Sequence, residues 1–396
     1  MIQRLMQRTT YTASCLSPVH IGSGNRFGKF DGAHVSGKWS VIDLDKVLEK
    51  DIDPTSLAQA MNDRDFNWQN WLNRHKIKLA EVSAYSIPCL VPPAENEIRA
   101  AVKDADLRPY LPGSSVKGAL RTAIVWGLLK NDDEAVRLTG QHLQHLAYSS
   151  DRAPQFPALP MEQYLLGEDP NHDLMRALRV IDSATVSVDQ LAVGLVWTYS
   201  LGNNKMVEKR ENGREFKTFV EWLKPETRLT MEIGVDAHLL TVKEPVPGGK
   251  PRPLFTPAQQ EAVNQLAKFC NDYARAVIAV EQQFLADHWS NDLNFVKQFY
   301  DDRAAELETM PAGSFLLNTG WGGGWEAKTV GDQMRAALPE ADFQQLRQRY
   351  QLGQKPSSSR EDLTYLNHYF PHSRHIGYKG VPRWPLGWLK LDFFVA

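Results

Sequence analysis

The chain has few cysteines, no long apolar run and almost no net charge. Its three cysteines, Cys15, Cys89 and Cys270, are isolated and odd in number. That excludes a disulfide framework, gives no zinc-ligand spacing and fits a reducing compartment. No stretch approaches the ~18 consecutive apolar residues of a membrane-spanning helix, and the N-terminal residues lack the apolar core of a signal peptide. A soluble cytoplasmic protein with no membrane partner is therefore expected. Lysine plus arginine number 45 against 47 aspartates and glutamates among 396 residues. Such balance provides no global attraction to a polyanion, so any nucleic-acid surface must be local.

Acid is missing locally in three places. Residues 1 to 30 hold Arg4, Arg8, Arg26 and Lys29 with no carboxylate, and residues 107 to 131 hold Arg108, Lys117, Arg121 and Lys130. From Leu363 to Leu391, Arg374, Lys379, Arg383 and Lys390 are joined by His368, His372 and His375, again without acid. Chance clustering gives the same pattern; a phosphate-facing groove is the reading favoured here.

Each acid-free stretch holds, or lies close to, a glycine-rich segment. The first is Ser17-Pro18-Val19-His20-Ile21-Gly22-Ser23-Gly24, the second Leu111-Pro112-Gly113-Ser114-Ser115-Val116-Lys117-Gly118-Ala119-Leu120-Arg121, and the third Leu317-Asn318-Thr319-Gly320-Trp321-Gly322-Gly323-Gly324-Trp325. Glycine accepts positive φ and lets main-chain N–H groups approach phosphate. Separated by some 300 residues, the segments must converge in space if they act together.

Length favours two domains, since single cores usually stop growing at about 250 to 300 residues. The Pro-rich, acidic connector around Pro154, Pro157, Pro160 and Pro170 supplies a boundary, giving units of residues 1–170 and 171–396. Strand patterns fall at residues 9–16, 178–188, 193–201, 227–235 and 386–395, and a hairpin at 33–43 turns at Ser36-Gly37-Lys38. Between strands, residues 203–217 form a charged turn protruding from a long hairpin. Helical spacing marks Ser114 to Lys130, with Ser114 as its cap, and a long helix over 257–288. The class is mixed α+β.

In the second segment, Ser114 and Ser115 open a helix whose first N–H groups form an anion site, with Lys117 and Arg121 one turn apart on one face. In the first, His20, Arg26 and Lys29 lie around Gly22, Ser23 and Gly24. Neither nucleotide fingerprint is met: Ser23 and Phe30 break a Walker A loop ending at Gly28-Lys29, and Phe27 replaces the third glycine of a dinucleotide motif. In the third, Trp321 and Trp325 flank Gly322, Gly323 and Gly324, with Lys328 just beyond. Tryptophans there either stack on bases or plug the core beneath a tight loop. Arg374 and Lys379, among His372, His375 and Tyr378, add basic and acid–base groups. Asp31 and Asp182 are isolated carboxylates, suited to capping a turn as much as to holding a metal.

These segments, together with Pro385-Leu386-Gly387-Trp388-Leu389-Lys390, resemble the RAMP superfamily of CRISPR proteins. Their order is most similar to the family of fifth Csm subunits of type III-A effector complexes. The resemblance implies two ferredoxin-like (RRM-like) RAMP domains with helical insertions and glycine-rich loops. It further implies a non-catalytic role: capping the crRNA 3′ end, terminating the filament of backbone subunits and assisting crRNA maturation in antiviral defence. The implied partners are crRNA, adjacent RAMP backbone subunits, the small subunit, target RNA indirectly and recruited host ribonucleases. No cofactor, metal or catalytic residue is assigned. By this resemblance the glycine-loop role falls on Gly320, Gly322, Gly323 and Gly324, and the basic helix on Lys117 and Arg121. Gly323 is one glycine more than the family loop calls for. Two other readings stay open: a backbone subunit slicing target RNA through Asp31, and a metal-independent processing endoribonuclease using His20 or the 372–379 cluster.

Overall fold

A computed structural model describes residues 6–393 apart from 94–95, 203, 212, 356–357 and 360. Arg4, and the end of the final expected strand at Val395, lie outside the described residues. The architecture is mixed α and β, with two principal sheets.

Sheet one runs in the order Phe315–Asn318, Trp388–Phe393, Met6–Cys15, Arg228–Asp236, Leu178–Val180, each neighbour antiparallel. Alternation in Met6–Cys15 sends Tyr11, Ala13 and Cys15 into the core, as a period of two requires of a strand covered on one face. Two helices cover this sheet's inner side. Gly113–Lys130 buries Val116, Leu120, Ala123 and Ile124, and Leu266–Asp287 buries Phe269, Tyr273, Val277 and Phe284. They meet where Gly127 sits directly on the Phe269 ring, leaving no room for a Cβ. Each buried valine, leucine, isoleucine or phenylalanine among them contributes about 1.5 to 3 kcal/mol.

Sheet two runs Pro382–Pro385, Ser373–Tyr378, Leu191–Gly202, Lys217–Leu223, Ile98–Ala101, Gly22–Phe27, with Lys205–Glu208 also paired to Leu191–Gly202. The Lys217–Leu223 and Ile98–Ala101 pair is parallel. Both sheets draw strands from either side of residue 170: Met6–Cys15 lies between Arg228–Asp236 and Trp388–Phe393 in sheet one, and Ile98–Ala101 pairs with Lys217–Leu223 in sheet two. A smaller unit inserts between Phe27 and Ile98. Its strands Gly32–Val35, Lys38–Ile42 and Ser83–Pro88 cover a separate core of Val47, Leu57, Trp68, Trp71 and Leu72.

The expected hairpin turns at Ser36 and Gly37, both at positive φ (50° and 75°), the signature of a tight two-residue turn. Residues 257–288 divide into Pro257–Asn264 and Leu266–Asp287, with Gln265 at φ −109° and ψ 35° breaking the helix. The expected strand at 178–188 pairs only over Leu178–Val180. The first glycine segment also departs from the loop expected of it: Gly22–Phe27 is an edge strand, because Ile98–Ala101 supplies a partner.

Candidate nucleic-acid interface

The three glycine segments, remote in sequence, come together at one junction. Trp321 N–H donates to the His20 carbonyl at 2.8 Å, joining the third segment to the first. Thr319 Oγ1 donates to the Ser115 carbonyl at 3.2 Å, joining it to the second. Thr319 N–H donates to the Gly387 carbonyl at 2.8 Å, and Gly387 N–H to the Pro18 carbonyl at 2.9 Å, so the C-terminal segment closes the ring. Gly320 has φ 73°, and a Cβ there would collide with the His20 carbonyl oxygen. Only glycine allows that approach. Gly323 has its own structural role: a Cβ there would collide with Asn318 Oδ1.

Around the junction lies a patch of aromatic and cationic groups on sheet two. The Arg99 guanidinium sits 4.8 Å above the Trp321 ring. His375 packs on the same ring at 4.7 Å, and His20 stands edge-on at 6.1 Å. Arg26 faces Arg99 across the strands Gly22–Phe27 and Ile98–Ala101. Like charges directly opposite on neighbouring strands repel; Arg26 reaches one carboxylate, Glu97, at 2.8 Å, on the exposed side. Arg99 is the residue that sequence reasoning missed. Its strand is only four residues long, and no local motif marks it.

Beneath the patch, Glu221 is completely buried and serves as the hub. Its carboxylate accepts from Tyr85 Oη at 2.6 Å, from Ala101 N–H at 2.8 Å and from Lys103 Nζ. Its main-chain carbonyl accepts from His20 Nδ1–H at 2.6 Å, which fixes that tautomer. Burial lowers the pKa of His20 despite this bond, and burial together with Arg99 and Lys209 pushes His375 down to about 4. Burial lowers His372 as well. The common cause is burial, which favours the neutral imidazole in each of the three.

Other expected site residues are committed elsewhere. Arg121 is bound by Glu162 at 2.7 Å and Asp173 at 3.0 Å, so it is not a free phosphate ligand. Arg374 is buried, donating to Glu281 at 2.7 Å and to the Pro371 carbonyl, so its charge is committed inside the protein. Ser114 does not cap its helix: Pro112 holds the cap position, and Gly113 N–H donates to Asp182 Oδ1 at 2.7 Å. A carboxylate of the protein thus occupies the positive end expected to take an anion. Lys117 is half-buried, and its charged neighbours are Asp173, Arg121 and Arg179. Trp325 packs against Phe370 at 5.1 Å as a plug under the loop. Lys328 is held below the loop by the Asn318 carbonyl at 3.2 Å, and burial pushes it down to about 8.

Among the remaining residues, Gly24 (φ 91°) and Ser23 lie on the exposed edge strand. Lys29 reaches the Arg64 carbonyl at 3.1 Å, and Lys379 is exposed at the far end of sheet two. Asp31 closes its own turn, accepting from Gly28 N–H at 2.7 Å. Among the described residues no three His, Cys, Asp or Glu side chains form a group that could hold a metal ion. No helix among them is long and apolar enough to cross a membrane.

Comparison with known proteins bears on the fold and the family. The protein known as CRISPR system Cms protein Csm5 of Streptococcus thermophilus is 26% identical over 237 residues, covering 55% of this chain and 61% of that protein. The match therefore spans less than two thirds of that relative's length. Its counterpart in Methanocaldococcus jannaschii is 23% identical over 347 residues, 82% of this chain and 74% of the relative. Two solved structures share the fold. One is a chain in the cryo-EM structure of a type III-A Csm–crRNA–target RNA ternary complex, with TM-score 0.73, 22% identity and coverage of 97% of this chain and 100% of that one. The other is the crystal structure of T. onnurineus Csm5, with TM-score 0.62, 20% identity and coverage of 96% and 99%. The sequence model of the RAMP superfamily matches residues 12–325, from the first strand through the glycine loop to Trp325, and the chain belongs to that superfamily.

Proposed function

We propose that this chain is the guide-RNA-binding subunit of a type III-A Csm effector complex, capping the crRNA 3′ end and terminating the backbone filament. The observation that carries the reading is the junction, where segments around residues 20, 115 and 320 are joined by hydrogen bonds beside Arg99, Arg26 and Trp321. A phosphate between the facing arginines relieves their repulsion, and glycine N–H groups and a half-exposed indole suit a backbone with splayed bases. Such contacts are indifferent to base identity, as a guide with a variable spacer requires. The Csm5 relatives and the fold shared with a chain of a Csm–crRNA–target RNA complex support the same role.

In this reading the protein acts in the cytoplasm and is not itself a nuclease. It contacts backbone RAMP subunits and the small subunit, meets target RNA through the guide, and aids maturation through recruited host ribonucleases. The strand order Trp388–Phe393, Met6–Cys15, Arg228–Asp236, Leu178–Val180, with the two long crossover helices, supports a ferredoxin-like unit; sheet two is the second, more divergent one. The test is reconstitution of the complex with and without this chain, followed by digestion with a 3′-to-5′ exonuclease. The proposal expects the guide 3′ end to be shielded only when the chain is present; equal digestion rejects it.

A further inference from the structure

A groove at the other end of sheet two is not explained by the junction. It has a volume of about 770 Å³, which is large enough for a nucleotide-sized ligand. It forms because the strand Ser373–Tyr378 stops pairing at Leu195, whereas its neighbour continues back to Leu191. That leaves Ala192 and Gly194 lining the gap. Gly194 lies against the Trp222 ring, where any Cβ would collide. Trp222 in turn props Trp384 edge-on, with centroids 6.5 Å apart.

The lining is strongly cationic. Lys224, Arg228, Lys379 and Arg383 all line it, and none is paired with a carboxylate among the described residues. Glu226 is the acid in the lining, and a fifth cation, Arg303, is already held by Glu306 at 3.0 Å. The Arg383 guanidinium lies 5.4 Å from the Trp384 ring centre, so cation and aromatic form one surface. Unpaired cations beside an aromatic platform are the ingredients of a single-stranded nucleic-acid groove. The groove and the junction share one apolar support: Trp222 belongs to the cluster with Val196, Val220 and Leu386 on which Trp321 packs.

We infer that this groove is a second single-stranded RNA site, taking the stretch of strand that runs on from the loop junction. The inference rests on the RNA-binding reading above and adds to it an exit path lined by Lys224, Arg228, Lys379 and Arg383. Charge complementarity chooses RNA over an apolar peptide as the occupant.

The test uses the full chain and 5′-fluorescein oligouridylates of two lengths, about 4 and about 12 nucleotides. Arg228→Glu/Lys379→Glu changes two exposed side chains, and Trp384→Ala removes the platform without altering charge. Each phosphate contact on a single strand contributes ~0.7 to the salt slope, so losing two lowers 12-mer affinity about 25-fold at 0.1 M salt. The 4-mer, which the junction alone accommodates, keeps its affinity, and Trp384→Ala weakens the 12-mer without changing the salt slope. An Arg99→Gln variant measured alongside separates the two sites. Wild-type 12-mer affinity in both groove variants, with loss in Arg99→Gln, overturns the groove and leaves the junction standing. Loss of a backbone subunit in pull-down with 12-mer affinity intact overturns it in favour of a protein occupant. Failure of the wild type to bind either RNA overturns both readings.

Discussion

Replacing Gly320 with alanine tests whether the glycine loop is clamped onto the first segment or merely lies near it. Gly320 sits at φ 73° with the His20 carbonyl directly where a Cβ would go. A left-handed conformation costs a non-glycine residue about 1 to 2 kcal/mol. The collision is with backbone, so the loop must move away, and the Trp321 N–H···His20 bond of 2.8 Å is lost. That removes about 1 kcal/mol more. The sum, roughly 2 to 3 kcal/mol, is well below the 5 to 15 kcal/mol that typically holds a domain together, so the loop undocks while the fold persists. Hydrogen exchange at the Trp321 amide reads this directly: a drop of that size accelerates exchange roughly 30- to 150-fold. Tryptophan fluorescence follows the release of Trp321 from Arg99 and His375. Unchanged Trp321 exchange in Gly320→Ala refutes the clamp.

Three further perturbations follow from the same structure. Arg374→Met leaves Glu281 buried without its cation and costs about 3 to 5 kcal/mol in urea unfolding, while RNA affinity of the folded fraction stays at the wild-type value. Asp182→Ala frees the Gly113 N–H at the start of the central helix and lowers stability by about 1 kcal/mol by the same assay, the usual effect of losing a cap. His375 has a folded-state pKa of about 4 against 6.5 when unfolded. The unfolded chain therefore takes up the proton first; stability is full above pH 6.5 and falls as the pH drops from 6.5 to 4, by at most about 3 kcal/mol. His375→Gln flattens that part of the urea-midpoint profile; a profile that falls as steeply as wild type contradicts the assigned burial.

What the sequence made legible was local. The hairpin at residues 32–42 was readable because Ser36-Gly37 carries its own turn chemistry, and the helix from Gly113 because its apolar positions repeat with helical spacing. That the glycine segments would have to meet was also an expectation of the sequence. What it could not reveal were partners distant along the chain. Arg121 looked free because its carboxylates lie 41 and 52 residues away, and Arg374 because Glu281 is 93 residues away. An acid-free stretch shows only the absence of local pairing. For the same reason Ser114 looked like a cap when Asp182, 69 residues from Gly113, supplies the oxygen. Arg99 and the groove at Trp384 emerge only once sheet two is assembled from strands scattered between residues 22 and 385.

The most direct test of the account follows a 3′-labelled mature guide RNA bound to the purified chain, in EDTA and in magnesium, across a salt titration. It compares wild type with an Arg26→Gln/Arg99→Gln variant. The account predicts intact RNA in both buffers, binding that weakens with salt, and a slope reduced by about 1.4 in the variant, as the loss of two phosphate contacts requires. Cleavage of the guide by the wild-type chain, or binding that neither salt nor the loss of both arginines diminishes, contradicts it.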